Sequence, residues 1–259
     1  MKVIACIRAA LLGISLLFSA PASNAAGLPN TIAAVKPSII GIGSYEKTRS
    51  PALRIVGTGF VVGDGLDIIT NAHVASAAAR SSSEMPGIII GKGNEVEFRQ
   101  ASIVAMDEEH DLARLRISGA PLPPMTLGES AKAVEGQAVA FTGFPLGMVL
   151  GLRHVTHRGI VSAITPISIP AANSGQLDPR TAAQLRRSPF MVFQLDGIAY
   201  PGNSGSPVYD PETGTVYGVI SMVMLKGLKE SAISSPSGIT YAVPSRFVND
   251  LMQRPPPSR

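Results

Sequence analysis

The sequence is poor in the residues that stabilise many secreted proteins and in those that bind nucleic acids. It has no tryptophan and a single cysteine, so it cannot rely on an internal disulfide. Charged residues make up only 15% of the chain, and the net charge of +4 is not gathered in any basic block, which argues against nucleic acid as a partner. Stability must therefore come from packing and hydrogen bonds, and 45% hydrophobic residues suffice for a sizeable core.

Long apolar runs are absent after the N-terminus, where residues 1–25 have the pattern of a secretory signal peptide. Lys2 and Arg8 give a positive start, residues 9–20 form an apolar core, and cleavage is expected after Ala25. The alternative is an uncleaved membrane anchor, but the apolar core is too short to span a bilayer well. We therefore expect a periplasmic or secreted protein with no stable membrane insertion once the signal is removed.

Glycine and proline are plentiful, with 26 and 21 residues, which favours many short strands and turns over long helices. Short apolar segments separated by turn residues fill 38–117, and a similar set fills 137–243. This pattern indicates a barrel or a sandwich in each half rather than βαβ units. The fold class that fits is all-β, with two six-stranded antiparallel barrels, a cleft between them and a short C-terminal helix.

The corresponding domains are an N-terminal barrel over 26–135 and a C-terminal barrel with the terminal helix over 136–252. A disordered tail is expected over 253–259. Within the first half, the pattern predicts a short helical turn over 72–79 and two separate strands over 95–100 and 101–106.

The stretch Pro201–Val208 concentrates glycine, asparagine and proline around Ser204. Glycine permits φ > 0 and a close approach of backbone to ligand. A serine hydroxyl is a weak nucleophile at neutral pH and needs a base with an orienting acid. His73, on the turn that leaves a strand, and Asp111, where an acidic turn enters a strand, are the candidates. The N–H groups of Gly202 and Ser204 are the candidate donors of an oxyanion hole.

Three other acidic residues compete with Asp111 for the orienting role. They are Asp107, Glu108 and Glu109. We expect these three to form a solvated acidic turn, because the apolar pair Leu112-Ala113 marks Asp111 as the residue that enters the strand.

Three histidines and three arginines have no part in this constellation. They are His110, His154 and His157, and Arg180, Arg186 and Arg187. No second ligand set with zinc-like spacing accompanies the histidines, so we expect surface or strand histidines, no metal and no organic cofactor. The arginines form a small basic face, which is more typical of a solvated surface than of a lid or docking surface.

Five motifs carry a resemblance to a known family. They are Gly57-Thr58-Gly59-Phe60-Val61-Val62, Thr70-Asn71-Ala72-His73-Val74, Asp111-Leu112-Ala113, Gly202-Asn203-Ser204-Gly205-Ser206-Pro207 and Tyr241-Ala242-Val243-Pro244. In these motifs and their order the chain resembles the trypsin-like serine endopeptidases with the double-barrel fold. It is most similar to the HtrA/DegP-like branch, with some similarity to glutamyl endopeptidases. The resemblance implies Ser204 as nucleophile, His73 as general base and acid, and Asp111 as the residue that orients the histidine.

Departures from the family pattern limit what is carried over. Asn203 stands where digestive relatives have an aspartate that pairs with a freed N-terminus, so that mode of activation is not expected. The pair Gly205-Ser206 stands where Gly-Gly is commoner, but the glutamyl branch shows the same Gly-Ser pair. No second domain follows Arg259, so we expect no PDZ module.

Substrate preference is predicted from the residues around the presumed pocket. Counting six residues back from the nucleophile reaches Ile198, where trypsin-type relatives carry an acid. Asp196 lies two residues earlier and is expected to be a structural hydrogen-bond acceptor. Ser221, Met222 and Val223 are expected to line the other wall. Because nothing basic is evident there to hold a glutamate, we expect a small or medium apolar P1 residue.

The leading hypothesis is a secreted serine endopeptidase that cleaves polypeptide substrates through an acyl-enzyme at Ser204. A second hypothesis, of a different class, is a catalytically inactive homologue whose cleft binds a peptide or protein. A third is a serine esterase of small acyl substrates. Fluorophosphonate labelling of Ser204 separates the first two, and a comparison of peptide with ester turnover tests the third. The sequence leaves the oligomeric state open.

Overall fold

The computed structural model of the protein describes residues 27–92, 95–146, 152–167, 190–222 and 238–255. Several sequence-based predictions lie outside the described residues: the signal peptide, the end of the tail, Val223, and the arginines at 180, 186 and 187. Within the described ranges, twelve strands form two closed six-stranded antiparallel barrels, so the predicted fold class is confirmed.

The first barrel closes in the order β1-β2-β3-β6-β5-β4. Its strands are β1 (Ile39–Tyr45), β2 (Leu53–Val62), β3 (Asp67–Thr70), β4 (Met85–Lys92), β5 (Glu95–Asp107) and β6 (Leu112–Ile117). The prediction of two strands over 95–106 is wrong, because β5 is one continuous strand. Its first half pairs with β4 and its second half pairs with β6, and the register shifts between Ile103 and Ala105. Such a shift bends a strand around a barrel and interrupts its alternation in the sequence.

The second barrel closes in the order β10-β11-β12-β9-β8-β7. Its strands are β7 (Ala138–Gly143), β8 (Val155–Pro166), β9 (Met191–Asp196), β10 (Pro207–Tyr209), β11 (Val216–Ile220) and β12 (Ile239–Pro244). The stretch from 197 to 206, which carries Ser204, therefore links β9 to β10.

Three helices accompany the barrels in the described part of the chain. They are α1 (Leu28–Val35), α2 (Ala72–Ala78) and α3 (Ser245–Gln253). Helix α2 follows β3 directly and carries His73, as predicted. Helix α3 is amphipathic, with Val248 and Leu251 fully buried and Asn249 exposed. Among the described residues, no helix combines the length and apolar character that crossing a bilayer requires.

Three apolar clusters build the core. One is made of residues from the first barrel and α2, including Ile42 and Ile68, and one of residues from the second half, including Phe141 and Phe193. The third takes residues from both barrels and from α3, including Leu251, and so joins the two halves. The barrels therefore meet across an apolar interface, and the C-terminal helix packs on it.

His154 adds a polar contact to this interface. Its Nε2 lies 2.7 Å from the carbonyl oxygen of Ile39 in β1, and its ring centroid lies 4.6 Å from that of Phe144. Burial is the main cause that lowers the pKa of His154. The neutral ring is therefore the form that the folded protein prefers.

We predict that Leu251→Ala lowers the free energy of unfolding by about 2–5 kcal/mol, because it opens a cavity where both barrels and α3 meet. Urea denaturation followed by circular dichroism measures the change. The exposed Asn249→Ala in the same helix serves as the control, and we expect it to stay within about 0.5 kcal/mol of the parent protein. Equal effects of the two substitutions would contradict the packing described here.

We also predict that acid weakens the fold through His154. Since its pKa is lowered in the folded state, its contribution to stability is complete above about pH 6.5, and it is lost as the unfolded chain takes up protons below that pH. Denaturation midpoints between pH 8 and pH 5 measure this loss. His154→Gln keeps a donor for Ile39 but cannot titrate, so its midpoint is expected to fall less over the same range.

Candidate active site

The loop that carries Ser204 is shaped by glycines at both sides of it. Gly202 has φ +101° and Gly205 has φ +87°, a region that side chains with a Cβ rarely adopt. A Cβ on Gly202 would lie 2.3 Å from the carbonyl oxygen of Phe144, and one on Gly205 would lie 2.0 Å from that of Thr58. Only glycine fits at either position, so the loop passes close against its supports and holds Ser204 in a fixed place.

The same loop is tied to the first barrel by Thr58 in β2. The Thr58 N–H donates to the carbonyl oxygen of Ser204 at 2.9 Å, and the Thr58 hydroxyl donates to that of Gly202 at 2.7 Å. Ser204 itself is 5% exposed. In the described part of the chain, the N–H groups of Gly202 and Ser204 donate no hydrogen bond.

His73 and Asp111 are in direct contact. His73 Nδ1 lies 2.8 Å from Oδ2 and 3.0 Å from Oδ1 of Asp111, and the backbone N–H of His73 donates to Oδ1 at 3.0 Å. That N–H belongs to the first turn of α2, where backbone donors have no partner within the helix, so the carboxylate also caps the helix. The contact fixes Nδ1 against the carboxylate and leaves Nε2 free to face a substrate.

Asp111 takes an unusual backbone conformation to reach this position. Its φ of +53° is left-handed, which aspartate tolerates better than most residues but at a cost. The Asn71 side chain helps to hold it by donating from Nδ2 to the Asp111 carbonyl oxygen at 2.9 Å. The turn between β5 and β6 is therefore fixed on the side that faces α2.

The loop over 197–206 lies at the same edge of the first barrel as the His73–Asp111 pair. We call it the nucleophile loop, after the role expected of Ser204. A Cβ on Gly57 would lie 2.7 Å from Cγ1 of Val74, next to His73, and 3.1 Å from the carbonyl oxygen of Ser204. Gly57 is thus the point at which α2 and the loop approach each other. No hydrogen bond joins the Ser204 hydroxyl to His73 among the described residues.

Ser221 has a place in the site that sequence reasoning missed. The sequence predicts that it lines the pocket, but the structure buries it completely and its hydroxyl donates to Oδ2 of Asp111 at 2.6 Å. Its backbone N–H donates to the carbonyl oxygen of Tyr241 in β12. A polar residue directly after the apolar strand β11 is the only local signal, and it does not identify the partner.

The prediction of a solvated turn is wrong for Asp107. Glu108 and Glu109 are exposed, but the Asp107 side chain is 5% exposed and accepts hydrogen bonds from His110 and from Arg254. Arg254 is 147 residues away in the sequence, so no local pattern could reveal the pair. The expectation of a disordered tail over 253–259 is wrong at its start, because Gln253 ends α3 and Arg254 is held by Asp107. His110 is correspondingly half-buried rather than a surface residue.

Of the expected pocket residues, Ile198 lies in the nucleophile loop and Met222 follows strand β11. Ile198 and Met222 are partly buried, and Asp196 is exposed at the end of β9. Thr240 in β12, which the sequence did not single out, accepts from the Ala199 N–H at 3.0 Å and donates to the Gly197 carbonyl oxygen at 2.6 Å. Its hydroxyl therefore fixes the backbone on both sides of Ile198.

His157 takes no part in the contact between His73 and Asp111. His157 lies on β8, as expected of a strand histidine, with its ring stacked on Phe141 at 4.9 Å. Its Nε2 is buried without a hydrogen-bond partner, and burial lowers its pKa. Across the described residues, histidine and acidic side chains do not gather into a cluster that could hold a metal ion.

Comparison with known proteins identifies the family to which the chain belongs. Residues 57–219 match the model of the trypsin-like peptidase domain. The probable periplasmic serine endoprotease DegP-like of Halomonas elongata is 30% identical over 203 residues, which are 78% of this chain and 35% of that protein. The mitochondrial serine protease HTRA2 of Bos taurus is 33% identical over 76% of this chain and 36% of its own length. The chain spans about a third of the length of these relatives.

Solved structures share the fold. A serine endoprotease from Yersinia pestis superposes with a TM-score of 0.59 at 23% identity, over 87% of this chain and 65% of that one. Deg5 superposes with a TM-score of 0.59 at 23% identity, over 86% and 90% of the two chains. The sequence relatives confirm the resemblance to the HtrA/DegP-like branch, and the solved structures show the same fold. Because the family match extends over more than half of its residues, this protein belongs to the trypsin-like peptidase domain family.

Proposed function

We propose that the protein is a serine endopeptidase that hydrolyses peptide bonds through an acyl-enzyme at Ser204. The observation that carries this proposal is the contact of the Asp111 carboxylate with Nδ1 of His73, at the edge where the nucleophile loop is tied to the first barrel. The names of the relatives, which are serine endoproteases and proteases, support the same reaction class.

In this mechanism the Ser204 hydroxyl attacks the scissile carbonyl carbon while Nε2 of His73 takes its proton. Asp111 keeps the proton of the imidazole on Nδ1 and stabilises the imidazolium that forms. His73 then protonates the leaving amine, and a water molecule activated by His73 hydrolyses the acyl-enzyme. The hydrogen bond between the Ser204 hydroxyl and Nε2 of His73 forms when the serine side chain rotates and the substrate binds, since catalytic hydrogen bonds often tighten only in the complex.

The N–H groups of Gly202 and Ser204 are the proposed donors to the developing oxyanion. Both lack an acceptor within the described residues, whereas the N–H of Asn203 between them donates to the carbonyl oxygen of Tyr200 at 2.9 Å. Donors of this kind stabilise the tetrahedral intermediate more than the planar substrate, which is how they lower the barrier.

Substrates are proposed to be polypeptides with a small or medium apolar P1 residue, met in the periplasm or outside the cell. Ile198 and Met222 give apolar, partly buried walls beside the nucleophile loop. The periplasmic names of the bacterial relatives support the location, together with the signal pattern of residues 1–25.

The first test is labelling by a fluorophosphonate, followed by mass spectrometry. We expect the label on Ser204 of the parent protein and none on Ser204→Ala. His73→Ala is expected to lower kcat by roughly 10⁴–10⁶-fold, and Asp111→Asn by about 10⁴-fold, because the imidazole then lacks its orienting acceptor. A folded parent protein that takes no label would favour the inactive, peptide-binding homologue. Label with turnover of esters but of no peptide would favour the esterase.

The second test is a panel of peptides that differ only at P1. We expect Ala, Val or Leu to be cleaved with a higher kcat/KM than Arg, Lys or Glu. Ile198→Ala enlarges the proposed pocket and is expected to move the preference toward larger apolar residues by about tenfold, since one or two methylene groups are worth that much in a hydrophobic pocket. A strong preference of the parent protein for Arg, Lys or Glu would overturn the assigned specificity.

A further inference from the structure

A polar and aromatic cluster lies between the β5–β6 turn and the end of helix α3. Its members are Asp107, His110, Phe190, Phe247 and Arg254. The turn comes from the first barrel, whereas the two phenylalanines and the arginine come from the second half of the chain. The turn that presents Asp111 is therefore held by two sets of contacts, one from Asn71 and α2 and the other from this cluster.

Asp107 is the centre of the cluster. It accepts a hydrogen bond from Nη2 of Arg254 at 2.6 Å, from Nδ1 of His110 at 2.9 Å and from the His110 N–H at 3.1 Å. Burial opposes ionisation of the carboxyl group, but the His110 hydrogen bonds and the Arg254 charge outweigh it and lower the pKa of Asp107. A buried carboxylate that keeps its charge depends on these partners, so removing one of them is costly.

His110 is enclosed by aromatic rings. Its ring stacks on Phe247 of α3 with centroids 3.7 Å apart and an interplanar angle of 20°, and the edge of Phe190 approaches it at 4.6 Å. The Arg246 guanidinium lies over the ring of Phe247, 4.6 Å from its centroid. The ring of His110 is thus fixed by the C-terminal helix and by the residue that precedes β9.

His110 immediately precedes Asp111, the residue in the left-handed conformation, in the sequence. A single residue with φ of +53° persists only where its surroundings over-determine it. On one side Asn71 holds the Asp111 carbonyl oxygen, and on the other the His110 ring and N–H are both held by Asp107. Arg254 also donates to the carbonyl oxygen of Met106, so the strand that leads into the turn is fixed as well.

We propose that Asp107, His110 and Arg254 are positioning residues that latch the C-terminal helix onto the β5–β6 turn and so hold Asp111 against His73. The latch makes no direct contact with the triad side chains. It joins Arg254, near the C-terminal end of the chain, to the turn that carries Asp111. The proposal deepens the proposed function, and its predicted effect on the reaction rate of Ser204 rests on that function. Its predicted effect on the contact between His73 and Asp111 does not depend on activity.

The test uses the full chain with two substitutions and two controls. Arg254→Gln and Asp107→Asn remove the latch charges. Arg116→Gln and Asp64→Asn remove an ion pair on the same barrel that makes no hydrogen bond to α3 within the described residues. Arg254 and Arg116 are matched in exposure, at 44% and 37%. Each protein is first shown to be folded by its thermal transition.

Two measurements are then made on each folded protein. The rate of fluorophosphonate labelling of Ser204 is expected to fall about tenfold in the latch variants and to change less than about twofold in the controls, because a small displacement of a supporting group is costly in rate. The second measurement is the proton NMR signal of His73 Nδ1–H, far downfield when it is shared with a carboxylate. We expect this signal to be lost or broadened in the latch variants and retained in the controls.

Arg254→Lys restores a positive charge within reach of Asp107 and is expected to recover most of the labelling rate and the downfield signal. Arg254→Gln, at a half-exposed position, keeps the test decisive if Asp107→Asn fails to fold. A folded Arg254→Gln protein with parental labelling rate and an intact signal would overturn the latch. A parent protein that takes no label refutes the proposed function instead, and the NMR comparison still decides the latch.

Discussion

The carboxylate of Asp111 is the point on which the arrangement of the site depends. It accepts hydrogen bonds from the backbone and ring of His73, which belong to the first barrel, and from the hydroxyl of Ser221, which belongs to the second. Burying an ionised group is costly unless several donors surround it. The two barrels must therefore dock closely for the carboxylate to be satisfied, and its position reports on their docking.

The other contacts across the barrels serve the same geometry. Thr58 in β2 holds the nucleophile loop of the second barrel through two backbone carbonyl groups, and its hydroxyl also accepts from the Phe144 N–H. Phe144 itself belongs to the apolar cluster that joins the halves. Because the protein has no internal disulfide to enforce this docking, apolar packing and the close backbone contact of Gly205 with Thr58 supply it.

Local pattern was enough to predict the fold class and to single out His73, Asp111 and Ser204, since each stands where a strand meets a turn. It could not find Ser221 or Arg254 as partners of Asp111 and Asp107, because those pairs join residues more than a hundred positions apart. The acidic turn shows the limit best. Three acidic residues in a row, Asp107, Glu108 and Glu109, look solvated in sequence, and only the tertiary structure shows that Asp107 is buried.

Closure of both sheets has a consequence for the proposed cleavage of polypeptides. A protease usually takes its target as an extended segment whose main-chain groups are free, but each barrel strand is already bonded to a neighbour on both sides. The proposed activity would therefore reach this protein's own chain at the connecting loops, and the strands that support the site would be spared.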